Sequence, residues 1–177
     1  TMILYAEHSF NASTFSARVT ASTLSDMHSA VISAVGTLRG SLHGGANRGA
    51  IEVLLKIRDA KRVDAWLAKA LANKEKIMGF GHRIYKNIDT RTPYMKVLAE
   101  ETARRMGDNK IYPLACKLEE AMKKAKNIPP NVDYYAAVFY YLIGLKKEIY
   151  TPIFAMARMA GWTAHIMEQL ESNKLIR

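Results

Sequence analysis

The chain has 177 residues, 49% of them hydrophobic and 24% charged, as in an ordinary globular protein that buries a sizeable core in one domain or in parts of two. No run of roughly 18 uncharged apolar residues occurs, so no segment is expected to span a membrane. The single cysteine, Cys116, excludes an internal disulfide and fits a reducing compartment, with the cytoplasm as the default.

Every segment reads as helix. Thr1 to His8 lacks the basic start and cleavage site of a signal peptide and reads as the middle of a helix that begins upstream. Asn11 or Ser13 can cap a helix carrying Phe15, Val19 and Thr23. Ser25-Asp26 caps the next, with Met27, Val31, Val35 and Leu38 as its apolar stripe and Gly40 as its end. Asn47 can cap a third through Ile51, Leu54 and Leu55; Val63, Trp66, Leu67 and Leu71 mark a fourth. Pro93 and Pro113 suit first helical turns, and Gly107 is a stop between them. Pro129-Pro130 opens the segment Asn131 to Ile143, closed by Gly144. Tyr134 to Tyr141 is rich in β-formers but lacks period-two alternation, so it is read as a buried helix. Thr151-Pro152 starts a last helix through Phe154, Arg158, Trp162 and Ile166. The fold class is all-α.

The formal net charge of +10 implies an anionic partner. Acids at Glu52, Glu75, Glu100, Glu101, Glu119 and Glu120 interleave with the bases. No arginine-rich tail or aromatic–basic signature accompanies them, which argues against nucleic acid. Bases at helix ends point instead to small multivalent anions.

Three short phrases concentrate the chemistry: Gly40-Ser41-Leu42-His43-Gly44-Gly45-Ala46-Asn47, Gly79-Phe80-Gly81-His82-Arg83 and Pro130-Asn131-Val132-Asp133. Each presents a titratable side chain where glycine or proline breaks a helix and leaves backbone N–H groups for anions. Two imidazoles and one carboxylate suit proton removal beside a carbonyl. The glycine loop has no preceding strand and no third glycine, so it does not read as a dinucleotide site. The five histidines form no zinc pattern and one cysteine assembles no cluster, so no metal is expected. His28 and His165 read as ordinary mid-helix residues and Cys116 as structural. His8, Arg91 and Arg158 join the candidate site.

The chain resembles the citrate synthase family from end to end. Glu7-His8-Ser9-Phe10-Asn11-Ala12-Ser13-Thr14-Phe15, Ala21-Ser22-Thr23-Leu24-Ser25-Asp26, the His43 phrase, Gly79-Phe80-Gly81-His82-Arg83-Ile84-Tyr85-Lys86 and Asn131-Val132-Asp133 occur in that family's order and spacing. The wording is similar to the bacterial and archaeal branch that also holds 2-methylcitrate synthases. The resemblance implies an all-helical homodimeric acyltransferase that condenses acetyl-CoA with oxaloacetate and water to give citrate and CoA. Acyl-CoA would be a co-substrate and no cofactor would be permanently bound. It implies Asp133 as the base on the acetyl methyl, His43 as the hydrogen-bond donor to the thioester oxygen, and His82 as the group polarising the ketone. Arg91, Arg158 and Arg177, with His8 and His82, would hold oxaloacetate, Arg177 reaching into the partner subunit. Ile77, Met78, Gly79, Phe80, Gly81, Lys86, Lys124, Lys126 and Asn131 would line the CoA site.

The resemblance also implies a small, coenzyme-side domain at 44–143 hinged near His43. Residues 1–43 and 144–177 would be segments of a large domain. It covers about the C-terminal half of such an enzyme, so this polypeptide alone is expected to show little or no activity. A 2-methylcitrate synthase using propionyl-CoA, and a non-catalytic helical anion-binding module, are the alternatives.

Overall fold

A computed structural model describes residues 1–85 and 87–177. Its α-helices, in chain order, are α1 (Met2–Tyr5), α2 (Ala12–Ser22), α3 (Met27–Leu38), α4 (Ala46–Ile57), α5 (Val63–Ala72), α6 (Thr92–Met106), α7 (Ile111–Lys126), α8 (Val132–Leu142) and α9 (Tyr150–Glu171). Among the described residues no strand forms; one isolated antiparallel bridge pairs Phe80 with Pro130. The all-α expectation holds, and no described helix is long and apolar enough to cross a membrane. The chain forms two compact units, one of residues 1–45 with 151–177 and the other of residues 46–150.

In the first unit, polar side chains start the helices. Asn11 caps α2, its Oδ1 accepting the Thr14 N–H at 3.2 Å, and Asp26 caps α3 by accepting the Ser29 N–H at 3.0 Å. Small residues then carry the packing: Ala17, Ala21, Ala30 and Ala34 are fully buried where α2 meets α3. This corrects part of two expected stripes, although Leu38 of the second is buried. Phe15 is 48% exposed and Val35 is 41% exposed, because close approach of two helices favours alanine over larger side chains. Gly161 of α9 serves a similar end. Its N–H donates to the Ala6 carbonyl at 3.0 Å, and a Cβ there would lie 2.3 Å from that oxygen. The segment leading to His8 is thus laid directly on α9.

The second unit is organised around α8, whose Val132, Tyr134, Tyr135, Ala136, Ala137, Val138, Tyr140 and Leu142 are all buried. A helix apolar all round needs neighbours on every side, and α4, α6 and α7 supply them. Burial overrides the β-propensity of this run, as its lack of alternation predicts. Gly107, at φ +65°, ends α6, and Asn127, at φ +54°, ends α7.

Two expected caps are corrected. Asn47 lies inside α4 and is buried, donating to the Tyr150 carbonyl at 3.4 Å. α9 begins one residue before Thr151, whose hydroxyl donates to the Gly44 carbonyl at 3.0 Å. Each side chain reaches a distant carbonyl, while Asn47 Oδ1 also accepts the adjacent Arg48 N–H at 2.7 Å. His28 is in the first turn of α3 and not mid-helix.

Gly161→Ala is expected to destabilise the protein by about 1–3 kcal/mol, because a backbone carbonyl must move. Gly36→Ala, within α3 with open space at its Cβ position, should stabilise by about 0.5–1 kcal/mol. Urea unfolding of the two variants checks the contrast, and equal effects would contradict it.

Candidate active site

The first unit holds His43 in the turn just before α4. Its Nε2 is 2.9 Å from Ser13 Oγ, which also receives the Trp162 indole N–H at 3.1 Å and lies 2.7 Å from Asn11 Oδ1. The single Ser13 proton therefore has two acceptors, His43 Nε2 and Asn11 Oδ1. When it goes to Nε2, the neutral imidazole carries its own proton at Nδ1 as a donor. Burial, reinforced by the charge of Arg158, pushes the His43 pKa down to about 4 from 6.5, so the ring is neutral at physiological pH.

Arg158 is buried, donating from Nε to the Tyr5 carbonyl at 2.5 Å with its guanidinium 4.8 Å from the Phe154 ring centre. Phe154 also meets His43 edge-on at 6.2 Å and stacks on Tyr5 at 4.3 Å. Asn11 ties in the His8 segment through Nδ2, which donates to the His8 carbonyl at 3.2 Å. His43, Arg158 and the His8 backbone thus belong to one network. Arg177 is exposed in the non-helical tail that follows α9.

The second unit gathers His82, Arg91 and Asp133. The Gly81 N–H donates to the Pro129 carbonyl and the Asn131 N–H to the Gly79 carbonyl, each at 2.9 Å. Asn131 Nδ2 adds a bond to the Gly81 carbonyl at 2.9 Å, while its Oδ1 caps α8 at the Asp133 N–H. The loop needs its glycines. Gly79 has φ +90°, and a Cβ there would meet the Tyr134 ring at 2.8 Å. Asp133, in the first turn of α8, is half-buried.

His82 accepts the Ile84 and Tyr85 N–H groups at Nδ1, at 3.1 and 3.2 Å, so its neutral form carries the proton at Nε2. Arg91 is engaged by a fork with Asp89, with Nε to Oδ1 at 2.9 Å and Nη2 to Oδ2 at 2.8 Å. The remaining guanidinium edge is the part available to a second carboxylate. Asp89 also accepts the Val132 N–H at 3.0 Å, joining Arg91 to the start of α8. Burial would raise the Asp89 carboxyl, but the Arg91 bonds and charge, with the backbone donors, hold it below the usual range.

Of the expected coenzyme contacts, Gly79, Phe80, Gly81 and Asn131 are brought together by these bonds. Ile77 and Met78 lead into the loop, and Lys124 and Lys126 are exposed in the last turn of α7. Lys86 lies outside the described residues. A cavity of about 470 Å³ in this unit is lined by residues including Ile88, Thr92, Lys96, Glu119, Lys123 and Pro130, and among the described residues none of the expected coenzyme contacts lines it.

Sequence reading missed Asp89, Trp162 and the second role of Ser13. Asp89 left a faint signal, an acid two residues before an arginine at a helix start. Ser13 and Trp162 are supports whose partner is distant in the chain, and no local pattern announces them.

His43 gives a pH prediction with a definite sign. The unfolded chain, with an ordinary imidazole, binds the proton more readily, so this stabilisation is complete above about pH 6.5 and is lost as pH falls toward 4. Between pH 7 and 5 the protein should lose more stability than His43→Asn; parallel losses would exclude burial of His43 as the cause. Asp89→Ala, which strands a largely buried guanidinium, should cost about 3–5 kcal/mol in urea unfolding, against under about 1 kcal/mol for an exposed ion pair such as Arg48–Glu52.

The whole chain, residues 1–177, matches the family model described as citrate synthase, C-terminal domain. It is 52% identical to a citrate synthase of Mycolicibacterium smegmatis over 99% of this chain and 47% of the relative. It is 49% identical to 2-methylcitrate synthase 1 of Corynebacterium glutamicum over 99% of this chain and 46% of the relative. Its fold is similar to that of Thermoplasma acidophilum citrate synthase in a ternary complex with carboxymethyl coenzyme A and oxaloacetate. That match has a TM-score of 0.93 and 40% identity, and covers 99% of this chain and 48% of that one. The chain spans about half the length of the curated relatives it matches.

Proposed function

This chain belongs to the citrate synthase family, and from that membership we propose that it carries the centre that condenses acetyl-CoA with oxaloacetate and water to give citrate and CoA. The observation that carries the reading is the state of the two imidazoles. His43 is neutral by burial and can donate from Nδ1 when Ser13 donates to Nε2, and His82 carries its proton at Nε2. His82 is set to give, and His43 in that tautomer can give, hydrogen bonds to oxygens that gain negative charge, which condensation beside a carbonyl requires.

In this reading the Asp133 carboxylate takes a proton from the acetyl methyl while His43 donates to the thioester oxygen. The enol carbon then attacks the oxaloacetate ketone, forming the C–C bond as the ketone π bond opens, while His82 Nε2–H hydrogen-bonds the oxygen that becomes an alkoxide. The proton taken up by Asp133 is returned to that oxygen, so both side chains end as they began. Water next attacks the thioester carbonyl, the C–S bond breaks and CoA leaves as the thiol. The free edge of Arg91, with Arg158, His8 and a partner subunit's copy of Arg177, would hold the two carboxylates of oxaloacetate. Gly79–Gly81 and Asn131, with Ile77, Met78, Lys86, Lys124 and Lys126, would receive the coenzyme. The work would be done by a cytoplasmic homodimer in which 44–143 is the coenzyme-side domain.

A propionyl-CoA-using 2-methylcitrate synthase is the second reading, favoured by relatives of that name at nearly the same identity. One methylene is worth only about 1–3 kcal/mol in a pocket. Relative kcat/KM for the two thioesters, measured on the protein carrying this chain, decides between them. In that protein Asp133→Ala should lower turnover by about 10²–10⁴-fold with oxaloacetate binding largely retained. Unchanged turnover would remove Asp133 from the mechanism and favour a non-catalytic anion-binding module.

A further inference from the structure

We infer that Arg18 is a positioning residue that holds, through two separate branches, the segment bearing His8 and the tail bearing Arg177. The consequence for substrate rests on the function proposed above; the geometry does not. Arg18 is on α2, with its side chain only 14% exposed, and it contacts four groups of this unit at once. Its Nη1 pairs with Glu168 and lies 3.3 Å from His165 Nδ1. Its Nε donates to Gln169 Oε1 at 3.1 Å, and its guanidinium lies 4.9 Å from the Phe10 ring centre.

The first branch runs through His165. Arginine only donates, so His165 Nδ1 accepts from it and the neutral ring carries its proton at Nε2. That Nε2 is 3.1 Å from Glu7 Oε1, in the residue before His8. Phe10, two residues after His8, is held between Arg18 and the edge of His165 at 5.8 Å. Between them Ser9 has φ +48°, a left-handed conformation that a non-glycine residue keeps only when its surroundings enforce it. Ala6 is docked on Gly161. Residues on both sides of His8 are therefore fixed to α9 and α2.

The second branch runs through Gln169. With its Oε1 accepting from Arg18, its Nε2 donates to Asn173 Oδ1 at 3.1 Å and to the Lys174 carbonyl at 3.2 Å. Asn173 donates on to the Ser22 carbonyl at 3.0 Å, and the Ile176 N–H donates to Ser22 Oγ at 3.1 Å. The residues leading to Arg177 are thus fastened to the end of α2, the helix that carries Arg18. A planar fork that also stacks on an aromatic ring can serve all these partners together, and an ammonium cannot.

The test uses four variants of the protein carrying this chain. Arg18→Lys should speed chymotryptic cleavage after Phe10 and tryptic cleavage after Lys174. His165→Phe should speed only the first and Gln169→Met only the second, with His165→Gln, which keeps one donor and one acceptor, near the parent. Uniform acceleration, or none, would overturn the two-branch clamp, whatever the protein catalyses. On the proposed activity, Arg18→Lys should raise the oxaloacetate KM about tenfold while the acyl-CoA KM changes less than about twofold. An unchanged oxaloacetate KM with both segments loosened would overturn the positioning role. Absence of oxaloacetate turnover in the parent would instead defeat the functional reading and leave the cleavage pattern to decide the clamp.

Discussion

Two backbone hydrogen bonds between the Gly79–Gly81 loop and the Pro129–Asn131 turn govern the chemistry of the second unit, for they join two segments some fifty residues apart. Everything reactive there is attached to this junction by short steps. His82 follows Gly81, Asp133 hangs from the Asn131 cap, and Arg91 reaches the start of α8 through Asp89. The junction demands glycine at 79 because a tyrosine ring and an alanine methyl occupy the space a side chain would need. A carboxylate and an imidazole are thereby presented from backbone that is held at both ends.

The first unit solves a different problem, which is to keep a partly buried imidazole neutral and held in place. Burying a polar group is costly unless its partners are complete. Here Ser13 is shared by Asn11, Trp162 and His43, while Asn11 also caps a helix and anchors the His8 carbonyl. One asparagine so joins the start of α2, the His8 segment and the His43 ring. Arg18 repeats this economy farther along the same helix.

How much of this was legible follows from the range of each interaction. Asn11, Asp26, Gly107 and the Pro-Pro-Asn start of α8 act within a few residues of themselves, and their local patterns identify them. The glycine phrases around His43 and His82 were readable for the same reason. Asn47 and Thr151 carry equally good local signals yet take distant carbonyls, so the local reading fails there. The stripes of α2 and α3 misled in part because alanine, not valine or phenylalanine, fills that contact. His165 looked ordinary because Glu7 and Arg18, which give it its role, are about 150 residues away.

The aromatic run of α8 carries a cost that the folded protein conceals. Tyr134 to Tyr141 contains no charge, proline or glycine, and its helix persists only because neighbours enclose it. Uncovered on a ribosome or in a partly unfolded molecule, such a run is free to pair as strand with its own kind. The residues just upstream are the natural guards, with Asp133, Asn131 and the two prolines interrupting any extension toward the N-terminus. The turn that presents the candidate base is therefore also the boundary of an uncharged aromatic stretch, so a substitution there removes a guard as well as a chemical group.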